Sequence, residues 1–488
     1  MKSIKVNLFY NVLLTVSGVL FPLITAPYVT RILYPEDLGL YNFASTYAHY
    51  FSMIALLGIP NYGPRTIGKV KNNNKEANYV LNELFTLAVI SGIIISFVYV
   101  CSIFFVEQFR KDYVIFLIAG FIIYLMPISI DWFFQGLENF KLITVRTIVI
   151  RILSIVLLFV VVNDAGDLIP YLLLSVFSCI VGYIWNFTVL YRSGYKIKFV
   201  THGIKKHVKP LFLLLTSSLA VYIYTALDTI MLGLLSDYIQ VAYYSYAMHI
   251  SKGLLAAVTS LSAVMLPRVS YYVGNNMNEE VNLLLNKSFS FVSFMAIPIC
   301  VGIIIIAPVF VPLFFGENYI GSVIPLQILS GLIIAIGLNN LFAIQCLVAM
   351  GYDKLFLYCV LTGTFSNFFL NLIMIPYLGA TGASIASVIA EILVLIASYI
   401  YVKKKTFVRV VFIKEITITI VVALMFYPIY KLLANYATGW WLVGAFVILS
   451  MAWYIVIQYF ARNSTAFLIC QTISGNINKL RNKNNEGI

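Results

Sequence analysis

The chain has 488 residues, 61% of them hydrophobic and only 10% charged, with a formal net charge of +13. So few polar residues cannot solvate a globular surface of that size, which excludes a water-soluble enzyme. The positive balance does not indicate nucleic-acid binding either, because no basic face belongs to a folded soluble module.

Fourteen apolar runs account for nearly the whole chain. The first half holds runs at 6–33, 40–64, 80–106, 113–135, 144–162 and 168–190. The second half holds 211–235, 241–266, 289–315, 322–350, 355–375, 380–402, 412–433 and 440–460. Each run is about 20 residues or longer, enough to cross roughly 30 Å of hydrocarbon as a helix. The expected fold is therefore an all-α integral membrane protein with fourteen transmembrane helices. Lys2 and Lys5 precede the first run, which is too long for a signal peptide and lacks a small-residue cleavage site, so a retained helix is expected.

Charge then predicts orientation. Of the 32 Lys and Arg, all but Arg31, Arg110, Lys111, Lys252 and Lys431 fall at one face when the loops are numbered from the N-terminus. Such a bias predicts that both termini are cytoplasmic. The six cysteines show no metal spacing and read as small hydrophobes. The tail from Arg462 is rich in Asn and Lys and reads as a disordered or headgroup-bound segment.

The chain also repeats itself. At an offset of 203 residues Tyr41 falls on Tyr244, Ala44 on Ala247, and Pro64-Arg65 on Pro267-Arg268. The offset equals six helices, which preserves direction across the membrane and predicts a parallel repeat about an axis along the membrane normal. The expected organisation is an N-terminal lobe at 1–190, a basic cytoplasmic inter-lobe loop at 191–210 and a C-terminal lobe at 211–405. Two further helices at 406–461 and the tail at 462–488 complete it.

Several stretches resemble bacterial polysaccharide flippases of the Wzx type, in the superfamily that includes multidrug exporters and the lipid II flippase. They are Ala26-Pro27-Tyr28-Val29-Thr30-Arg31, Tyr34-Pro35-Glu36-Asp37-Leu38-Gly39-Leu40-Tyr41, Asp131-Trp132-Phe133-Phe134-Gln135-Gly136, Asp228-Thr229-Ile230-Met231-Leu232-Gly233 and Val264-Met265-Leu266-Pro267-Arg268. The resemblance implies two six-helix lobes around a central cavity. It further implies an undecaprenyl-diphosphate-linked oligosaccharide as cargo, a bacterial plasma-membrane location, and a polymerase and glycosyltransferases as pathway partners. No cofactor or metal is implied. The lipid II flippase uses arginines on its first, second and eighth helices, and here those helices carry Arg31, Arg65 and Arg268.

The residue chemistry stands apart from that resemblance. Moving a diphosphate past hydrocarbon calls for cations, preferably guanidinium groups that bind oxygens in pairs. A charge at mid-membrane costs at least about 2.5–3.5 kcal/mol on insertion scales, so each one kept there needs a reason. Lys252, with His249 one turn away, lies deep in the eighth run and Asp228 deep in the seventh. Two readings stay open: a buried ion pair pinning helices, or a cavity cation released from Asp228 by the arriving diphosphate. The repeat mate of Lys252 is His49, which places a titratable nitrogen at both positions.

Arg31 follows Pro22 and Pro27 on the first helix, where freed carbonyls are tolerated beside a cavity; otherwise it is an interfacial arginine. Arg65 and Arg268, near cytoplasmic ends, are also explained by the positive-inside rule. Glu391, mid-span on the twelfth run, reads as an ion-coupling group or a helix-to-helix hydrogen-bond donor. Asp131 reads as a partner of Lys141 or Arg146, and Arg151 as a snorkelling side chain. A multidrug exporter of the same superfamily is the alternative function. A membrane polymerase is disfavoured by the short outer loops.

Overall fold

The computed structural model describes residues 4–408, 413–461, 463 and 465; the expected basic tail otherwise lies outside them, with Cys470. Every regular element among the described residues is helical. In chain order they are α1 (Ile4–Ile32), α2 (Pro35–Ala55), α3 (Ile59–Val70), α4 (Asn74–Phe105), α5 (Glu107–Arg110), α6 (Tyr113–Ala119), α7 (Phe121–Leu125), α8 (Asp131–Gly136), α9 (Phe140–Val161) and α10 (Leu168–Arg192). Then follow α11 (Lys205–Leu235), α12 (Tyr238–Gly274), α13 (Asn278–Phe315), α14 (Val323–Leu329), α15 (Gly331–Asn339), α16 (Asp353–Lys405), α17 (Ile413–Leu424), α18 (Phe426–Ala434) and α19 (Gly439–Phe460).

Among the described residues, eleven helical stretches are long and apolar enough to cross a membrane. Every apolar run of the sequence lies on helix, but the boundaries differ in physically informative ways. The run at 40–64 is split into α2 and α3, because Leu57 and Gly58 both take positive φ (52° and 79°). At Gly58 a Cβ would press on the α11 backbone around Leu211 and Leu215, so glycine serves both the turn and the close approach. The run at 113–135 is broken into α6, α7, a 3₁₀ turn at Met126–Ile128, and α8. The runs at 355–375 and 380–402 join into α16, kinked at Gly379 (φ 52°, ψ −129°). Caps mark other ends: Pro35 opens α2, and the Asn73 side chain accepts the N–H groups of Lys75 and Glu76 to start α4.

The chain forms two compact units, Met1–Ala242 and Tyr243–Ile488. In the first, α1 runs parallel to α9. Thr144 donates to the Tyr10 carbonyl (2.9 Å), Arg151 reaches Ser17, and Tyr28 donates to the Val162 carbonyl (2.8 Å), each pair 134 residues apart. The α2 helix instead meets α11 head to tail. Phe43 lies against Gly233, and His49 and Tyr50 against Tyr222; at either end Gly39 meets Tyr238, which opens α12, and Asn61 of α3 meets Ser218. Cβ atoms at Gly39 or Gly233 would overlap the Tyr238 carbonyl or the Phe43 ring, so these glycines set the helix separation.

In the second unit α13 is central. It packs on α14, α15, α17 and α19, and Tyr454 of α19 donates to the Phe294 carbonyl of α13 (2.8 Å). Phe294, Val422, Phe426, Phe446 and Tyr454 form one of its buried clusters. The small residues Ala380, Gly382, Ala383 and Ser384 of α16 are buried, as close helix packing requires.

The helix ends keep the offset of 203. The first helix ends at Ile32 and α2 begins at Pro35, while α11 ends at Leu235 and α12 begins at Tyr238. The Tyr41 ring packs at a tilt of 48° against Tyr171 of α10, the sixth apolar run, with centroids 4.8 Å apart. Its mate Tyr244 shares a hydrogen bond with Ser387 (3.1 Å) on the twelfth run. The halves diverge at Gly58, whose counterpart Leu261 continues α12 without a break.

Candidate functional site

Each sequence-predicted side chain has a definite place. In the first unit, Arg31 ends α1 with its side chain exposed, His49 is half-buried on α2, and Arg65 is exposed on α3. His49 stands edge-on to Tyr222 at 5.1 Å and its Nδ1 shares a 3.3 Å hydrogen bond with Ser52. Asp228 is buried on α11. In the second unit, His249 and Lys252 are both exposed on α12, three residues apart and so on one helix face. Arg268 is exposed further along α12, and Glu391 is half-buried on α16.

The structure also assembles polar groups in the first unit that the sequence reading treated as incidental. Arg146 is buried on α9, and its two terminal nitrogens bind both oxygens of Asp131 at 2.5 and 3.0 Å. Asn186 of α10 closes the triangle: its amide oxygen accepts from Arg146 (2.5 Å) and its amide nitrogen donates to Asp131 (2.7 Å). This is a fork-to-fork pair with a third partner, the geometry in which a buried ion pair is held firmly. The expected pairing of Asp131 is thus made with Arg146. Arg151 differs from its expected snorkelling role. Its guanidinium is hydrogen-bonded to Ser17 of α1 and lies near Gly18, where Pro22 withholds an N–H from the helix ladder.

These groups face a cavity of about 460 Å³ between α1, α9 and α10. Nine Ser, Thr and Tyr residues, Ser154, Ser178 and Tyr183 among them, share its wall with apolar side chains such as Phe21 and Leu158. With Arg146 matched by Asp131, Arg151 gives the cavity one net positive charge. Such a space can take a small polar or anionic group; it holds no nucleophile–base pair of the kind acyl or phosphoryl transfer needs. Among the described residues no three His, Cys, Asp or Glu cluster in a way that could hold a metal ion.

A second polar group lies at the base of α11 in the same unit. Glu83 of α4 is fully buried, and its Oε2 meets His207 Nε2 and Lys206 Nζ, both at 2.9 Å. The other ring nitrogen of His207 shares a 2.8 Å hydrogen bond with the Tyr62 hydroxyl of α3. Sequence reading passed over it; the available signal was a carboxylate nine residues inside an apolar helix. At the opposite ends of the helices the exposed turns carry Glu36, Asp37 and Asp112. The Asp37 carboxyl is raised by burial and then by Glu36 and Asp112; Asp167, in the turn before α10, is lowered by N–H groups of Asp164 and Asn163.

A family model described as "Polysaccharide biosynthesis protein" matches residues 4–273, more than half of the chain. The chain belongs to that family. A second model, MatE, matches residues 214–373. The chain is 25% identical over 362 residues to a "Putative O-antigen transporter" of Escherichia coli (strain K12), covering 72% of this chain and 86% of that one. It is 22% identical over 399 residues to a protein of the same description from Shigella dysenteriae, covering 80% and 98%. Among solved structures, the lipid II flippase MurJ in an inward closed conformation matches with a TM-score of 0.68 and 15% identity, over 94% of this chain and all of that one. An inward-facing MATE multidrug transporter matches with a TM-score of 0.63 and 13% identity, over 79% and 94%. The resemblance expected from the sequence is thus shown, and the fold is that of MurJ and the MATE transporters.

Proposed function

We propose that the protein is a flippase that carries an undecaprenyl-diphosphate-linked oligosaccharide from the cytoplasmic to the outer leaflet of a bacterial plasma membrane. The observation that carries this reading is the union of a MurJ- and MATE-like fold with membership of the polysaccharide biosynthesis family. Fourteen crossings with both termini cytoplasmic and two six-helix lobes in parallel repeat complete the proposal. The conserved helix ends at an offset of 203 support the repeat.

In this reading the cargo's anionic head enters from the basic side. Arg31 binds diphosphate oxygens in pairs and Lys252 supplies a point charge. Arg65 and Arg268 gather the anion at the cytoplasmic entrance, and His49 and His249 donate hydrogen bonds from matching helices. Asp228 and Glu391 are the ion-coupling groups. The lobes then rock outward, and an inside-negative potential assists an outgoing anion by about 2.3 kcal/mol per charge per 100 mV. No step forms or breaks a covalent bond, so the protein is a transporter and not an enzyme.

The MatE match favours a second reading, a multidrug exporter. Residues Ile4–Ile32 of α1 contain no Asp or Glu to bind an organic cation, and Arg31 stands there instead, which favours the anionic cargo. Deleting the gene in its own host is the test. Surface polysaccharide should disappear while lipid-linked repeat units accumulate on the cytoplasmic leaflet. Persistence of surface polysaccharide in a strain without a redundant transporter contradicts the proposal.

A further inference from the structure

Between α10 and α11 the chain turns at Gly194 (φ 84°) and runs along α4 without forming helix or strand. That side of α4 carries Asn74, Asn78, Asn82 and Thr86, four residues apart and therefore on one face. The Tyr195 hydroxyl donates to Asn74 (3.0 Å). The backbone N–H groups of Lys196, Lys198 and Val200 then donate to Asn78 (2.8 Å), Asn82 (2.9 Å) and Thr86 (3.1 Å). The register has a simple cause. Two residues of extended chain advance about 6.6 Å and four residues of helix about 6.0 Å, so alternate N–H groups meet successive turns.

The segment ends in the clasp around Glu83. Gly203 (φ 84°) passes so close that a Cβ there would overlap the Glu83 Oε1. Immediately after it, Lys206 and His207 of α11 grip the same carboxylate, and His207 reaches on to Tyr62 of α3. Asn61 of α3 donates to Ser218 (3.0 Å) three turns further along α11. These polar contacts tie the base of α11 to α3 and α4 beside an apolar one, in which Leu211 and Tyr195 join the buried cluster of Ile59, Leu81 and Leu84. The neutral hydrogen bonds of the strap are weak net contributors, because water replaces them on release. The strap also carries its own basic residues, with Lys196 and Lys198 exposed on it.

We propose that the strap 195–204 and the Glu83–His207 clasp form a latch that holds the base of α11 against α3 and α4 and lets go to admit cargo from the cytoplasm. This function rests on the transport reading, since rocking of the two lobes requires that base to part from the helices of the first half. A strap that stays docked throughout transport would be a mere tether.

The test uses the full chain in nanodiscs and in transport vesicles, with the native cysteines replaced by serine. Cysteines at Asn78 and Lys196 should form a disulfide on mild oxidation, because the Lys196 backbone N–H donates to the Asn78 side chain (2.8 Å) and so holds the strap backbone against that turn of α4. The oxidised protein should lose flipping at least tenfold, and reduction should restore it, which rules out misfolding as the cause. Independently, Asn78→Ala with Asn82→Ala, and separately Glu83→Gln, should speed trypsin cleavage at Lys196 and Lys198 several-fold. Three results overturn the latch: no disulfide on oxidation, full transport by the oxidised protein, or unchanged cleavage in all the variants. If the native protein, with its cysteines in place, moves no cargo at all, the transport reading fails and the latch has no function. The cleavage and disulfide measurements need no cargo and still report whether the strap docks and releases, so the two failures are distinguishable.

Discussion

Arg31 and Lys252 are the cations proposed to carry the diphosphate. Both side chains are exposed although both sit in apolar helices, where hydrocarbon disfavours a charged group. If they bind diphosphate, Arg31→Gln or Lys252→Gln should reduce flipping at least tenfold, a loss of about 1.4 kcal/mol or more, with insertion unchanged. Arg31→Lys should recover only part of the activity, because ammonium keeps the charge and loses the two-pronged donor. Lys252→Arg should retain more. A purely structural ion pair behaves otherwise: Lys252→Gln would lower expression by stranding Asp228, and adding Asp228→Asn would restore expression and full transport. Quantitative immunoblots beside a transport assay distinguish the two patterns. At this scale the sequence was only partly legible. Proximity in the chain narrowed the partner of Asp131 to Lys141 or Arg146, and the structure pairs it with Arg146, fifteen residues on. The Glu83–His207 contact spans 124 residues and the Arg151–Ser17 contact 134, and no periodicity brings such partners together.

At the scale of elements, the contact of α2 with α11 and with the start of α12 depends on glycine. Gly39→Val should place a branched side chain into the Tyr238 carbonyl, and Gly233→Val should strike the Phe43 ring. Overpacking of this kind typically costs about 1–3 kcal/mol, and more where backbone must move. Both variants should therefore melt well below the parent in a thermal-shift measurement in nanodiscs. Gly444→Ala, where nothing lies within 4 Å of the new Cβ, should melt at or slightly above it. Equal melting of all three variants would mean that the seam is loose. Hydropathy located the helices but not their interruptions. A window average registers side chains and is blind to φ, so the break at Leu57–Gly58 and the kinked continuity of α16 through Gly379 were invisible to it. The strap escaped notice for a related reason: Asn74, Asn78 and Asn82 read as the wet end of a membrane helix, although they accept hydrogen bonds from a segment more than a hundred residues away.

For the whole molecule, the legible part was the largest. Composition pointed to a membrane protein, and the order of motifs along the apolar runs pointed to the family to which residues 4–273 are matched. The cargo is a different matter, because a diphosphate asks only for cations in the right place and leaves no motif of its own. A direct measurement is available. The purified protein would be placed in vesicles carrying a fluorescent undecaprenyl-diphosphate oligosaccharide in both leaflets, and a sugar-cleaving enzyme added outside. If the protein is a flippase for that lipid, the inner-leaflet label becomes cleavable in protein-containing vesicles and stays protected in empty ones, and Arg31→Gln abolishes the difference. Protection equal to that of empty vesicles, with uptake or release of an organic cation dye by the same preparation, would contradict the account and assign the fold to drug export.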